Sequence, residues 1–194
     1  MCKLCLTPSV RVLVLIAVMT TAAQAEGVHL HAEVDPLPFV RGGYGGQIGV
    51  RDDRIGRVRV AVASFSLDVP DFAAQLGGND DFHLRVRPSA ALYVLYYLSP
   101  KRDGFAVGGS LRYLRLRYTH DAFDGASADT SELSPEAIVA YKWHPTRFGF
   151  YVQPWLGLSA TVWRSDDAVV GDRTYDPLPL QAFFTVNLGW ELVR

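Results

Sequence analysis

The sequence predicts an all-β protein, a transmembrane antiparallel up-and-down β-barrel of eight strands. The clearest sign is residues 178–192, where apolar side chains occupy every second position. A period of two indicates a strand with one apolar face, and this one exceeds the roughly 9–11 residues that a tilted membrane-crossing strand needs. An N-terminal export signal and a regular succession of tight turns and long polar loops support the same fold.

Residues 1–25 are predicted to be a cleaved signal peptide, which leaves residues 26–194 as one barrel domain. Lys3 and Arg11 precede the apolar run 12–19, and an Ala-Gln-Ala sequence closes the segment as an A-x-A cleavage site. A transmembrane anchor is the alternative, but the run is far shorter than the ~20 apolar residues of a spanning helix.

Removal of this segment would leave a thiol-free and slightly acidic chain. Cys2 and Cys5 lie in the segment, and the 19 basic and 20 acidic residues of the chain become 17 and 20. This balance argues against a nucleic-acid partner. His29 and His31 share one strand face, but no third ligand is evident nearby, so the sequence predicts neither a metal site nor a cofactor.

Eight segments with this alternation are expected to form the barrel wall. They are residues 28–34, 39–51, 57–66, 83–98, 105–118, 133–143, 148–163 and 178–192. Tight turns at residues 52–54, 99–104 and 144–147 alternate with long loops at 67–82, 119–132 and 164–177, while residues 35–38 join the first two strands. Short connections on one rim and long loops on the other are typical of membrane barrels.

Local irregularities are expected at three places in these segments. The apolar phase changes after Tyr113, which predicts a bulge there. Pro88 and Pro154 lie within strands and cannot donate to a ladder, so each requires a bulge, an interfacial position or a water-facing site. Residues 69–76, around Pro70, could form a short helix in the loop.

Alternation alone does not tell which strand face points outward, and a soluble lipocalin-like barrel would bury the same apolar set. The mixed face favours the membrane barrel, because it is rich in small residues with isolated arginines and its single lysine is Lys142. A water-facing surface would carry many lysines and glutamates. The apolar face also has aromatic residues near the strand ends, as at a membrane interface: Tyr96, Tyr141, Trp143, Phe148, Phe150 and Trp190.

In length, export signal and strand count, the chain resembles the small outer-membrane barrels of the OmpA/OmpX type, a class that includes lipid A-modifying barrels. The resemblance spans the mature chain and rests on pattern, without a family-specific motif. It implies a monomer in the outer membrane of a Gram-negative envelope, inserted by the outer-membrane assembly machinery. That machinery usually reads a terminal aromatic residue, whereas here Trp190 is followed by four further residues.

The charged residues of the mixed face are expected to lie in the lumen, because eight strands enclose a space that side chains just fill. They are Arg57, Arg59, Lys142 and Glu191 towards the tight turns, and Glu33, Asp35, Arg41, Arg85, Arg87, Arg112 and Glu136 towards the long loops. Buried charges must pair, so a salt-bridge network that plugs the barrel is the favoured interpretation. A narrow polar pore is the alternative.

An enzyme is a further alternative, because lipid A acyl hydrolases and acyltransferases use this scaffold. Such an enzyme needs a serine, a histidine and an orienting carboxylate near the outer rim. The candidates are His120, Ser131, Ser134 and Glu136, with Glu132 nearby. Only an expected juxtaposition across a loop connects them, and a His-x-Ser on one strand is absent, so the sequence favours no catalytic site.

Each long loop region carries four acidic residues: Asp68, Asp71, Asp80 and Asp81; Asp121, Asp124, Asp129 and Glu132; Asp166, Asp167, Asp172 and Asp176. These carboxylates could share divalent cations with lipopolysaccharide phosphates. No loop has the spacing of a calcium motif, so solvated loops are favoured. The sequence thus predicts an outer-membrane barrel with a filled polar lumen and acidic outer loops, acting in envelope structure or surface contacts.

Overall fold

The computed structural model describes residues 27–52, 54, 56–99 and 103–193, and the expected signal peptide lies outside this part of the chain. Eleven strands and two short helices are present within it. The strands are β1 Val28–Val34, β2 Tyr44–Asp52, β3 Val58–Asp68, β4 Phe82–Tyr97, β5 Gly104–His120, β6 Ala128–Lys142, β7 Phe150–Ser159, β8 Trp163–Arg164, β9 Val169–Val170, β10 Arg173–Thr174 and β11 Gln181–Val193. The helices are α1 Pro36–Val40 and α2 Asp71–Ala74.

Eight of the described strands close into an antiparallel barrel, which confirms the predicted architecture. Strands β1 to β7 pair in sequence order, and β11 pairs with both β7 and β1. In the closing pair, Leu30 lies opposite Leu192. A β-sheet that spans a lipid bilayer must be closed, because a free strand edge would find no hydrogen-bond partner in the hydrocarbon region.

The outer surface of the barrel is apolar and the lumen is polar. Val62, Leu156 and Leu192 point outward and are 60 to 61% exposed, whereas Lys142 and Gln153 point inward and are fully buried. This is the reverse of a soluble lipocalin-like barrel, since a large exposed apolar belt is stable only against lipid. The barrel therefore spans a membrane, and its architecture is that of outer-membrane proteins.

The predicted bulge near Tyr113 is wrong, because the extra residue lies in β4. Pairs between β4 and β5 jump from Arg87–Arg115 to Ala90–Tyr113, and the β3–β4 register shifts at the same level. Pro88 lies in this bulge, where its missing N–H leaves no ladder bond unmade.

On the long-loop side of the bulge, the inward and outward faces of β4 exchange places. Below it, Leu95 points into the lumen, whereas above it Val86 is buried and Arg85 points outward. Strand β5 keeps one phase throughout, so Leu114 and Leu116 face inward and not towards lipid.

Two further elements differ from the predicted boundaries. Residues 39 and 40 belong to α1 and not to a strand, because the Asp35 carboxylate accepts the Leu37 N–H at 3.0 Å and so caps a helix whose first residue is a proline. Strand β6 begins at Ala128, so Asp129 and Glu132 belong to the barrel wall and not to a loop.

The other strand proline and the other helix have simple local explanations. Pro154 interrupts the β6–β7 ladder, which ends at the Ala140–Trp155 pair and resumes as one isolated bridge. Helix α2 forms directly after Pro70, inside the segment predicted to be helical. In the described part of the chain, no helix has the length and apolar character needed to cross a membrane.

Candidate functional site

A cluster of buried charges centred on Glu191 fills the lumen near the tight turns. The Glu191 carboxylate lies 2.8 Å from His29 Nδ1 and 3.1 Å from His144 Nε2, and it accepts a hydrogen bond from Lys142 Nζ. Arg51 Nη2 is 3.5 Å from the same carboxylate. One carboxylate therefore joins basic side chains from three strands and one turn of the barrel wall.

A second cluster, centred on Glu33, lies beside the first. Its carboxylate pairs with the Arg59 guanidinium and accepts hydrogen bonds from Gln47 Nε2 and Tyr151 Oη. Arg59 Nη1 also lies 3.4 Å from Gln153 Oε1. Arg59 is 1% exposed, so its charge depends on Glu33 for compensation.

We call these two clusters the plug. It consists of His29, Glu33, Gln47, Arg51, Arg59, Lys142, His144, Tyr151, Gln153 and Glu191. Within the plug, the Lys142 ammonium lies 4.3 Å from the centre of the Tyr151 ring, a cation–π contact that adds to the ion pair.

Glycines opposite the lumen aromatic residues allow the rings to lie flat against the wall. Gly189 pairs with Tyr151 across β11 and β7, and a Cβ on Gly189 would overlap the ring. Gly157 and Phe183 form the same arrangement nearer the long loops. The small residues of the inward face are thus what allow an eight-stranded lumen to hold large side chains.

A cavity of about 190 Å³ lies above the plug. Tyr93, Trp155 and Phe183 line it together with an ion pair, in which Arg112 Nε is 2.7 Å from Glu136 Oε1. Among the described residues, the buried indole N–H of Trp155 has no hydrogen-bond partner. The cavity is therefore bounded by a charge pair as well as by aromatic rings.

Asp35 lies at the mouth of this cavity, between β1 and α1. Its carboxylate accepts hydrogen bonds from Thr185 Oγ1 at 2.6 Å and from the Leu37 N–H. Burial raises the pKa of Asp35, and the two hydrogen bonds oppose that rise.

At the long-loop end of the lumen, residues from the loop region between β7 and β11 pack onto inward residues of β4 and β5 and form an apolar cluster with them, which we call the cap. Its members are Phe82, Val86, Leu114, Leu116, Tyr118, Ala168, Val170 and Tyr175. Asn79 joins two loops beneath it, since its side-chain amide donates to the Asp176 carbonyl and accepts the Asp176 N–H, both at 2.7 Å. Burial in the cap raises the pKa of the Tyr175 phenol.

The candidate catalytic residues do not form a site. His120 lies at the loop end of β5 and packs edge-on against Phe82 at 4.7 Å. Ser131 pairs with Arg115, five residues further down β5, or roughly 17 Å along the strand. Ser131 accepts a hydrogen bond from the outward Tyr113, and no described contact links Ser131 to His120.

The remaining candidates face the lumen and serve as partners of other side chains there. Ser134 lies 3.4 Å from Thr161 Oγ1, and Glu136 binds Arg112 and Ser110.

The predicted charge network is only partly located in the lumen. Six of its eleven members face inward: Glu33, Arg59, Arg112, Glu136, Lys142 and Glu191. Asp35 lines the cavity above the plug. Four lie outside the lumen and correct the prediction: Arg41, Arg57, Arg85 and Arg87. Arg57 lies at the tight-turn rim and stacks on the outward Tyr96 ring at 5.4 Å, while the other three lie at the long-loop rim.

Three basic members of the plug were not predicted to belong to the charge network: His29, Arg51 and His144. Strand parity could have found His29, since it shares the inward face with Glu33. The tight-turn residue His144 carries no such signal, because a turn has no period.

The predicted interfacial aromatic residues lie on the outer surface at the tight-turn rim. Phe148 is 81% and Trp190 is 47% exposed, and the Phe150 and Trp190 rings are 6.2 Å apart. Tyr96, Tyr141 and Trp143 are exposed on the same rim. In this position they can mark the membrane–water boundary.

Several of the carboxylates predicted to lie in the long loops bind side chains of this chain. Asp68 pairs with Arg85, Asp71 and Asp121 flank the His83 ring at 3.0 and 2.9 Å, and Asp129 pairs with two arginines. Within the described ranges, no group of three or more His, Cys, Asp or Glu side chains is arranged to hold a metal ion.

No family model and no curated protein sequence matches the chain significantly. Among solved structures, Neisserial surface protein A matches with a TM-score of 0.50 and 11% identity over 87% of this chain and 98% of that protein. A major outer membrane protein from Thermus thermophilus matches with a TM-score of 0.54 and 15% identity over 85% and 98%. CarO of Acinetobacter baumannii has a TM-score of 0.42 at 14% identity, over 87% and 98%. At these identities, the first two show a shared fold, the outer-membrane β-barrel.

Proposed function

We propose that the protein is a monomeric, non-conducting outer-membrane barrel that acts in envelope structure and in contacts with the lipopolysaccharide of the outer leaflet. The observation that carries this proposal is the closure of the lumen, by the plug near the tight turns and by the cap near the long loops. The plug consists of buried side chains joined by hydrogen bonds and ion pairs, and the cap of buried apolar side chains packed together, which supports a lumen without a continuous path for ions in the described part of the chain. The assembly machinery of the outer membrane is its expected partner during insertion.

Planar-bilayer recording tests the closed lumen. The folded protein is expected to give no current steps above baseline, whereas the double variant Glu33→Ala/Arg59→Ala should conduct, because it removes both charges of a central plug pair without leaving one unpaired. A heat-dependent shift in gel mobility serves as the folding control for both proteins. Wild-type steps as large as those of the double variant would refute the proposal in favour of a pore.

A deletion strain tests the envelope role. Loss of the protein is expected to increase entry of a hydrophobic dye into cells, and plasmid-borne wild type should restore the barrier. A plasmid-borne variant that does not fold into the barrel is the control and should not restore the barrier. An unchanged barrier in the deletion strain would argue against a structural role.

An acyl hydrolase or acyltransferase is not proposed. The separation of His120 from both candidate serines removes the only constellation that the sequence offered for that chemistry.

A further inference from the structure

A dense group of arginines lies on the outer surface of β4 and β5 at the long-loop rim. Arg85 pairs directly with Arg117 across the two strands, and Arg87 pairs directly with Arg115. The side chains of Arg85, Arg87 and Arg117 are 49%, 35% and 42% exposed, and Arg115 is exposed as well. We call these four residues the arginine patch.

The patch has more positive charge than its own chain compensates. Two aspartates contact it: Asp68 Oδ1 lies 3.0 Å from Arg85 Nη1, and Asp129 binds Arg117 through two bonds of 2.9 Å and Arg87 at 3.1 Å. Like charges directly opposite each other across a sheet are destabilising. Four guanidinium groups against two carboxylates therefore form a site that an anion would stabilise.

A cleft of about 310 Å³ lies beside the patch. Arg41, Arg85 and Arg117 line it together with Asp68, Asp71 and His83. Arg41 is held there by a 3.2 Å hydrogen bond from its Nε to the Asp68 carbonyl. Because the cleft brings three guanidinium groups together, it offers a compact anionic group several charge-assisted hydrogen-bond donors.

The depth of the patch in the membrane identifies the kind of anion. On the same outer face, the next residues towards the membrane are apolar and exposed, with Tyr113 at 45%, Leu111 at 46% and Leu92 at 48%. The arginines thus begin where the apolar belt ends, which is the level of lipid headgroups.

We propose that the arginine patch and its cleft bind the phosphate groups of a phosphorylated glycolipid of the outer leaflet. This inference rests on the proposed function and names the surface that makes the lipid contact. Guanidinium groups bind phosphate oxygens in pairs with matching geometry, so the contact is direct and needs no divalent cation between protein and lipid.

Lipid retention measured by native mass spectrometry tests this inference, with the folded barrel in detergent and EDTA present. The probes are a diphosphorylated lipid A, the same glycolipid without phosphates, and inorganic phosphate alone. Wild type is expected to retain the diphosphorylated lipid, and Arg85→Gln/Arg117→Gln should bind it about tenfold more weakly, the effect of losing one charge-assisted hydrogen bond or more. Arg85→Lys/Arg117→Lys should lie between the two, because lysine keeps the charge but not the paired geometry.

Two matched controls are available in the same chain. Arg173→Gln removes an exposed loop arginine, and Arg57→Gln removes an outward arginine at the opposite rim; both should leave lipid retention unchanged. The inference is overturned if the glycolipid without phosphates is retained equally, or if the Arg85→Gln/Arg117→Gln variant binds like wild type. It is also overturned if inorganic phosphate binds and lipid A does not compete, since the site would then take only a free anion.

Heat-dependent gel mobility verifies that each variant is folded, and the lysine variants keep the test valid if a glutamine variant fails to fold. The absence of current in planar bilayers does not depend on whether the protein retains lipid A. A silent barrel that does not retain lipid A would therefore refute the arginine patch alone, whereas a conducting barrel would refute the proposed function.

Discussion

The plug makes an asymmetric prediction about two partners in one ion pair, Glu191 and Lys142. Glu191→Gln preserves shape but removes the only carboxylate that contacts the Lys142 ammonium among the described residues, so it leaves a fully buried cation without its anion. Lys142→Met keeps most of the side-chain volume and leaves Glu191 with Arg51 at 3.5 Å, His29 at 2.8 Å and His144 at 3.1 Å.

The two substitutions should therefore differ in cost. Uncompensated buried charge costs about 3–5 kcal/mol of unfolding free energy, which is the expectation for Glu191→Gln. Lys142→Met should cost about 1.5–3 kcal/mol, the loss of one charge-assisted hydrogen bond by a carboxylate that keeps other partners. The double variant should be more stable than the sum of both effects predicts, since it no longer contains the Lys142 charge that Glu191 compensates.

Guanidinium unfolding of the protein in lipid vesicles, followed by tryptophan fluorescence, measures all three variants against wild type. The midpoint should fall further for Glu191→Gln than for Lys142→Met, with the slope of the transition unchanged. If Lys142→Met proves as destabilising as Glu191→Gln, then Glu191 does not share its charge among several basic groups and the description of the plug is wrong.

The remaining predictions concern the cap and the lumen glycines. Asn79→Ala should release the bridge between two loops and speed proteolysis within residues 160–180, whereas Gln75→Ala at the nearby surface should not; equal cleavage patterns would contradict the bridge. Gly189→Ala should push the Tyr151 ring off the wall and lower the unfolding free energy by about 1–3 kcal/mol. Gly46→Ala, whose new methyl would meet its nearest atom at 3.4 Å, should have little effect in the same denaturant assay.

Strand number and the direction of most faces were predictable because both are local properties. The alternation of β11 and β7 sorts their side chains into two faces, since a strand turns successive side chains to opposite sides whatever its neighbours are. The small residues and isolated charges of the mixed face then indicate that the apolar face meets lipid. Likewise, the inward Glu33, Lys142 and Glu191 lie where their parity predicts.

The outward arginines were not predictable in the same way. A bulge shifts the phase by one residue, and the sequence only indicates that one is needed near Pro88 or Tyr113. Packing decides between them: the loop after β7 supplies Val170 and Tyr175 as apolar partners for Leu114 and Leu116, so β5 keeps its phase and β4 takes the bulge. That choice moves Arg85 and Arg87 from the lumen to the lipid-facing surface.

The sequence by itself thus determined the barrel, its membrane-facing belt and the presence of a charged lumen, because period-two alternation is a property of each strand alone. Only the tertiary structure decided which charges meet. Glu191, Lys142 and His29 come from β11, β6 and β1, and they converge because closure brings together strands that are distant in sequence. Strand register and loop packing set those contacts, and neither can be derived from the alternation of a single strand.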